Sequence, residues 1–223
     1  MIKVIFQLAL FLLPWKLRRY FLRTVLHFEL ADTARIGFSI ILAHSVILHK
    51  HAFIGNFTFC KPIDLLEIGE YSHIGTRNFI TGFATTIPDF PHFTHIRNRQ
   101  CVLKIGKHSG VTSRHYFDCN GGVYIGDYCE IAGFETAFLS HSIDLKNNRQ
   151  DVESIVVGDY SFIGTRCTLV KGSAVPERSV IAACTLVNKK FTTKDALYGG
   201  IPCQFIKELN GYKYFERTEG KVY

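Results

Sequence analysis

The 223-residue sequence predicts an all-β chain wound as stacked three-sided coils, with a short N-terminal helix and a C-terminal extension. Three observations lead there. Aliphatic residues recur every six positions over most of the chain, a small residue follows most of them, and two polar insertions interrupt the recurrence. The clearest run is Val157, Ile163, Leu169, Val175, Ile181 and Val187, followed in turn by Gly158, Gly164, Val170, Pro176, Ala182 and Asn188. The same period appears as Ile36, Leu42, Leu48 and Ile54, then as Ile68, Ile74 and Ile80. It returns as Ile105, Val111 and Phe117 and, after a shift of two at Asn120 to Gly122, as Ile125, Ile131 and Ala137.

A period of six is neither the alternation of a half-buried strand nor the 3.6 of a helix. It fits one short strand plus one corner, and three of these close a triangular coil of about 18 residues. Inward aliphatics then stack from coil to coil, and the glycine beside each is expected to let the backbone turn without a Cβ clash. One coil cannot bury its apolar side alone, so several must stack. Residues 36–190, less the interruptions, make roughly seven coils, or about 34 Å at about 4.8 Å per layer. Helix bundles, doubly wound sheets and barrels do not fit this pattern.

The segment before the repeat, 1–30, is read as an apolar and basic helical piece. Val4 to Trp15 is almost wholly apolar, and Lys16, Arg18, Arg19, Tyr20 and Arg23 follow. A membrane span needs about 20 apolar residues and this stretch supplies roughly a dozen. Two readings stay open: an amphipathic helix on an anionic leaflet, making a peripheral membrane contact through residues 1–23 with Trp15 and the basic residues at headgroup level, or a helix that covers the end of the main domain. That domain is expected over 31–209, with a tail at 210–223.

Composition narrows the function classes. With 47% hydrophobic and 20% charged residues the chain folds rather than stays disordered. A net charge of +7 suits an anionic partner, but no nucleic-acid-binding motif accompanies it, so nucleic acid is not an expected partner. The seven cysteines are odd in number and contain no CxxC pair, which points to a reducing compartment, buried thiols and no metal finger. The insertions, 87–100 and 142–154, are loops of the kind that solenoids place on a binding face. His141 stands at the lip of the second, where an imidazole titrating near neutrality suits proton removal from a weak nucleophile.

The stretch IVVGDYSFIGTRCTLVKGSAVPERSVIAACTLVNKK, with YGGIPCQFIKEL after it, resembles the hexapeptide-repeat acyltransferases with a left-handed parallel β-helix. Among them it is similar to the sugar O-acetyltransferases related to the maltose, galactoside and nodulation-factor enzymes. The resemblance covers about 30–209 and implies the handedness, a homotrimer, acetyl-coenzyme A as cosubstrate and a cytoplasmic enzyme, in one reading peripheral at the inner face of the membrane. It implies a carbohydrate acceptor, free, nucleotide-linked or lipid-linked, in polysaccharide or lipopolysaccharide biosynthesis. His141 matches the family's catalytic base. For the carboxylate that orients it, Glu153 is preferred and Asp144 comes next, with Asp118 and Glu135 left open. Thr165, after Ile163 and Gly164, matches the backbone oxyanion donor. Gly164, Thr165, Ala183, Lys189 and Pro202 match cofactor-contacting positions; Cys184 departs from a family glycine, and phosphate recognition is left among Lys189, Lys190 and Lys207. Ser113, Arg114 and Asp118 fall on the acceptor side. No metal is expected.

Rival readings are an N-acetyltransferase acting on an amino sugar, a zinc carbonic-anhydrase-like hexapeptide protein and a non-enzymatic scaffold. The zinc reading would draw on His44, His49, His92, His95, His108 and His115.

Overall fold

The computed structural model describes residues 2–86 and 91–222. Three parallel sheets form the walls of a prism in a left-handed β-helix. Sheet A starts at Glu29–Leu30, sheet B at Arg35–Ile36 and sheet C at Ile40–Ile41. Sheets A and C each have seven strands, and so the prism has seven complete coils. Sheet B has nine, because Ala196–Gly199 extends it and Gln204–Glu208 folds back antiparallel on that strand.

Parallel register places each inward side chain over its counterpart one coil away. In sheet A, Leu48, Ile68, Ile105, Ile125, Val157 and Val175 form one such column. All six are buried, as are Ile163, Leu169, Ile181 and Val187 of the clearest run. Two expected positions are corrected. Ile41, not Leu42, faces the core in the first coil, because only Gly37–Ser39 separate its strands where Gly55–Thr58 separate them one coil later. Phe138, not Ala137, faces inward in the fifth, because Gly133, at φ +70°, adds a residue and shifts the register against Val111–Ser113.

The repeat glycines have a different role from the one expected. A Cβ on Gly69 would lie 2.5–2.7 Å from the backbone of Gly106 and Lys107 in the next coil. They are small because coils approach closely, not because the corner needs positive φ. The left-handed corner positions are held by other residues, among them His51, Tyr71, His108, Tyr128 and Tyr160. Such a conformation costs about 1 kcal/mol or more per residue. Along the corner from sheet A to sheet B these five rings stack with centroids 4.6, 5.0, 4.9 and 4.6 Å apart, an attraction that offsets the backbone cost.

The N-terminal piece is two helices, Ile2–Leu10 and Trp15–Thr24, broken at Pro14, which has no N–H to carry a helix onward. They cap the open first coil. Gln7 bonds both the carbonyl and the N–H of Ile41 at 2.8 and 2.9 Å. Arg18 donates to the carbonyls of Ile36, at 2.8 Å, and Gly37. Burial lowers the Arg18 pKa to about 10, and the rings of Phe11, Trp15 and Phe38 surround its guanidinium. At the other end, 209–222 runs back along sheet B, with a 3-10 turn at Lys213–Glu216.

Candidate functional site

Both insertions leave the prism at the corner between sheets C and A. The first follows Phe79–Thr81 and the second follows Ala137–Leu139, with the tight corner 119–122 between them. Of the first, Ile87, Pro88, Asp89 and Phe90 lie outside the described residues; its later part holds a 3-10 turn, Pro91–Phe93. The second, expected as a loop, is a hairpin of His141–Asp144 and Arg149–Val152 turning at Asn148, whose φ is +47°. Gly121 makes room for its return: a Cβ there would come 2.7 Å from the Glu153 carbonyl.

Asp118 ends a strand of sheet C in register with Leu139, which places its carboxylate beside the start of the hairpin. Asp118 Oδ2 accepts from His141 Nδ1, with the aspartate side chain 2% and the histidine 38% exposed. Asp118 Oδ1 accepts from the Asn120 backbone N–H at 3.1 Å and from Asn120 Nδ2 at 2.7 Å. Ser140 fixes the approach of the next residue: its hydroxyl donates to the Asp118 carbonyl at 2.6 Å and accepts from the Gly121 N–H at 2.8 Å.

A carboxylate only accepts, so the imidazole proton sits on Nδ1 and the lone pair of Nε2 is left for another partner. No hydrogen bond from a described residue occupies Nε2. The bond to Asp118 raises the His141 pKa above its ordinary value of 6.5, against the smaller opposing effect of burial. The buried ring of Phe93 stands edge-on to the imidazole, centroids 6.4 Å apart at 89°. Arg99 lies 4.5 Å over that ring and donates to the Asn120 carbonyl at 3.2 Å. Arg99 also lines a cleft of about 320 Å³ with His44, Asp64, Gln100 and Lys104.

The residues preferred for orienting His141 lie elsewhere. Glu153 turns its carboxylate to Lys190, 2.6 Å away. Asp144, carried about 10 Å along the hairpin by three extended residues, bonds Asn147 at 2.6 Å and Arg149 at 3.3 Å. Glu135 pairs with Arg166 at 3.1 Å on another edge. Asp118, left open on the sequence as an orienting carboxylate and also placed on the acceptor side, is the carboxylate that the fold brings to the imidazole. Asn120 was not singled out at all; its signal was the slip of the repeat at Asn120 to Gly122, where the polar corner sits.

The remaining expected site residues divide between two edges. Ser113, Arg114, Gly164, Thr165 and Ala183 lie along the corner between sheets B and C. There Phe134 is held between the guanidinium groups of Arg114 and Arg166, at 4.7 and 5.1 Å, and the Thr165 hydroxyl donates to the Phe134 carbonyl at 3.0 Å. Among the described residues, no hydrogen bond occupies the backbone N–H of Thr165 or Ala183. Cys184 takes the left-handed conformation at φ +58° with its side chain exposed, while the other six cysteines are buried. Lys189 is exposed beyond the sheet C strand Leu186–Val187, on the His141 side, and Pro202 is in the turn before Gln204–Glu208. One chain therefore separates His141 from Thr165 by the width of sheet C.

Among the described residues no three His, Cys, Asp or Glu side chains gather as a metal-holding group. His44 bonds Thr86 at 2.6 Å and His49 bonds Glu67 at 3.3 Å. His115 is buried, accepting from the Thr136 N–H at 3.1 Å and bonding Thr112 Oγ1 at 2.8 Å.

No protein-family model matches the chain, and no curated protein is similar enough to match it. Solved structures do match. A hexapeptide-repeat-containing acetyltransferase from Vibrio cholerae, complexed with acetyl-coenzyme A, is 24% identical over 65% of this chain and 71% of its own, with a TM-score of 0.52. A hexapeptide transferase family protein from Anaplasma phagocytophilum is 16% identical over 85% and 83%, with a TM-score of 0.49. The likeness to the first establishes the hexapeptide-repeat β-helix as the fold of this chain.

Proposed function

We propose that this protein is an acyltransferase that moves an acetyl group from acetyl-coenzyme A to a sugar hydroxyl, with His141 as the base. The observation that carries the reading is the buried Asp118 carboxylate on His141 Nδ1, which leaves Nε2 of a part-exposed ring without a hydrogen bond among the described residues. Nε2 takes the hydroxyl proton as the oxygen attacks the thioester carbonyl, and Asp118 steadies the imidazolium. The tetrahedral oxyanion needs a donor, and the unoccupied Thr165 amide is of the right kind. The thiolate then leaves and takes the proton from His141.

Thr165 lies on a different edge of the same chain, so a complete site requires the sheet B–C edge of a second copy against the His141 edge of the first. This supports a homo-oligomer, and the choice of a trimer rests on the resemblance to the hexapeptide-repeat enzymes. The fit to coenzyme A rests on the same edge, where the backbone N–H groups of Thr165 and Ala183 are unoccupied among the described residues. The cleft beside Arg99, with polar groups converging on about 320 Å³, suits an acceptor of monosaccharide size. The acetyl-coenzyme A complex of the Vibrio cholerae protein supports the choice of donor. We place the reaction in cell-surface polysaccharide synthesis, on a free, nucleotide-linked or lipid-linked sugar.

The test is coenzyme A release from acetyl-coenzyme A by wild type and His141→Ala across free, nucleotide-linked and lipid-linked sugars, amino sugars included. Release that needs both an acceptor and His141 supports the reading, and alkali lability of the product separates an ester from an amide. Release that His141→Ala leaves intact would sink it.

A further inference from the structure

The N-terminal helices use one face to cap the prism and leave the other bare. Gln7 and Leu10 of the first helix are buried against the first coil. On the opposite side Ile2, Ile5, Leu8 and Leu12 point outward, with Ile2 82% and Leu12 89% exposed. Their spacing of three, three and four residues draws one stripe along a helix. It continues through the turn, where the N–H groups of Phe11, Leu12 and Leu13 bond carbonyls three residues back. Such a contiguous apolar surface marks an interaction site rather than ordinary solvent exposure.

Charge identifies the partner. No acidic residue precedes Glu29, and Lys3 and Lys16 are exposed, Lys3 next to Ile2 at the outer end of the first helix and Lys16 at the start of the second. Arg18 is withdrawn into the cap and Arg19 and Arg23 face Asp32, so the exposed positive charge at this end of the protein is that of the lysines. A second copy laid on this face would offer these lysines no acidic side chain from its own first 28 residues. A bilayer with anionic headgroups supplies acyl chains for the stripe and negative charge for its border. Crossing is not at issue: among the described residues no helix is long and apolar enough to span a membrane.

We infer that this face docks the protein, N-terminal end first, on an anionic membrane surface. The docking is independent of the acyl-transfer reading. It unites the two open sequence readings, because one side of the helices covers the domain and the other meets lipid. It corrects one detail: Arg18 and Trp15 belong to the cap rather than to the headgroup layer.

The experiment is flotation of the full chain with phosphatidylcholine vesicles and with phosphatidylcholine–phosphatidylglycerol vesicles. Leu12→Asp, Lys3→Glu/Lys16→Glu and wild type are compared, each checked for its β-helix signature by circular dichroism and for mass by light scattering. Wild type should bind the anionic vesicles at least about tenfold more tightly than the neutral ones and lose that preference at high salt. Both variants should lose at least about tenfold while staying folded. Equal binding of wild type and variants, no binding to either vesicle, or self-association that these substitutions abolish would each overturn the inference.

Discussion

Asp118 and His141, 23 positions apart in the chain, meet because adjacent coils place the end of one sheet C strand beside the start of the hairpin that leaves the next. The pairing raises the histidine pKa above 6.5. A base must be neutral to act, so acceptor-dependent turnover should rise with pH through an apparent pKa above 6.5. Asp118→Asn should move that limb to lower pH, because the carboxylate that favours the imidazolium is gone. It should also reduce the plateau by roughly 10²–10³-fold, within the range that positioned acid–base groups supply. A pH–rate profile of both proteins checks this, and an unshifted limb would remove Asp118 from the role. For stability the sign is opposite: the protonated pair favours the folded state below 6.5, and that contribution is lost as pH rises through the folded-state pKa.

Asn120 positions the pair. Its side-chain N–H donates to Asp118 Oδ1, and its side-chain carbonyl oxygen accepts the Phe83 N–H at 2.9 Å, tying the corner to the first insertion. Asn120→Ala leaves the buried carboxylate one donor short, which should cost about 1–3 kcal/mol in denaturant unfolding. It should also raise the His141 pKa further, since a carboxylate with fewer donors favours the imidazolium more strongly. Histidine ring NMR reads that pKa without any assay of activity. A stability loss with an unmoved pKa would leave Asn120 a structural corner residue.

The architecture was legible because its signal is periodic: one inward position in each six carries a large apolar side chain into a continuous core, and Val157 through Val187 occupy that phase without a slip. The errors fall where a corner gains or loses a residue, at Ile41 and at Phe138, since counting by six cannot see a five or a seven. His141 stands out in the sequence by its place at the lip of an insertion, and the structure sets it against Asp118. That carboxylate was legible only as one of four, and not the preferred one, because Asp118 and His141 are neighbours only through the stacking of coils, whereas Asp144 and Glu153 are near in sequence. Cysteines that read as small hydrophobes do fill the prism, as Cys60, Cys119 and Cys167 show.

Coil spacing makes a separate prediction. Gly69→Ala would press a methyl against the backbone of Gly106 and Lys107, atoms that cannot rotate aside. Unfolding free energy should fall by about 1–3 kcal/mol or more, the range for overpacking a core. Gly211→Ala is the contrast: its φ of +74° is strained for alanine, but an added Cβ meets nothing within 4 Å. It should cost only about 1 kcal/mol. A loss well under about 1 kcal/mol for Gly69→Ala, the size of an unconstrained surface substitution, would mean that coil contact does not set the glycines of the repeat.

His115 sets an acid limit on the fold. Burial lowers its pKa to about 4, and both ring nitrogens are engaged, Nδ1 as acceptor from Thr136 and Nε2 with Thr112. The neutral ring is therefore the folded form, and protonation would take Nδ1 from acceptor to donor against an N–H. Between pH 6.5 and about 4 the unfolded chain binds a proton that the folded chain does not, so stability must fall as pH falls through that window. The full shift corresponds to roughly 3 kcal/mol. His115→Gln offers a side-chain oxygen to the Thr136 N–H and has no titration there, so it should flatten the slope of unfolding free energy against pH between about 6.5 and 4. An unchanged slope in that variant would assign the acid sensitivity to other groups.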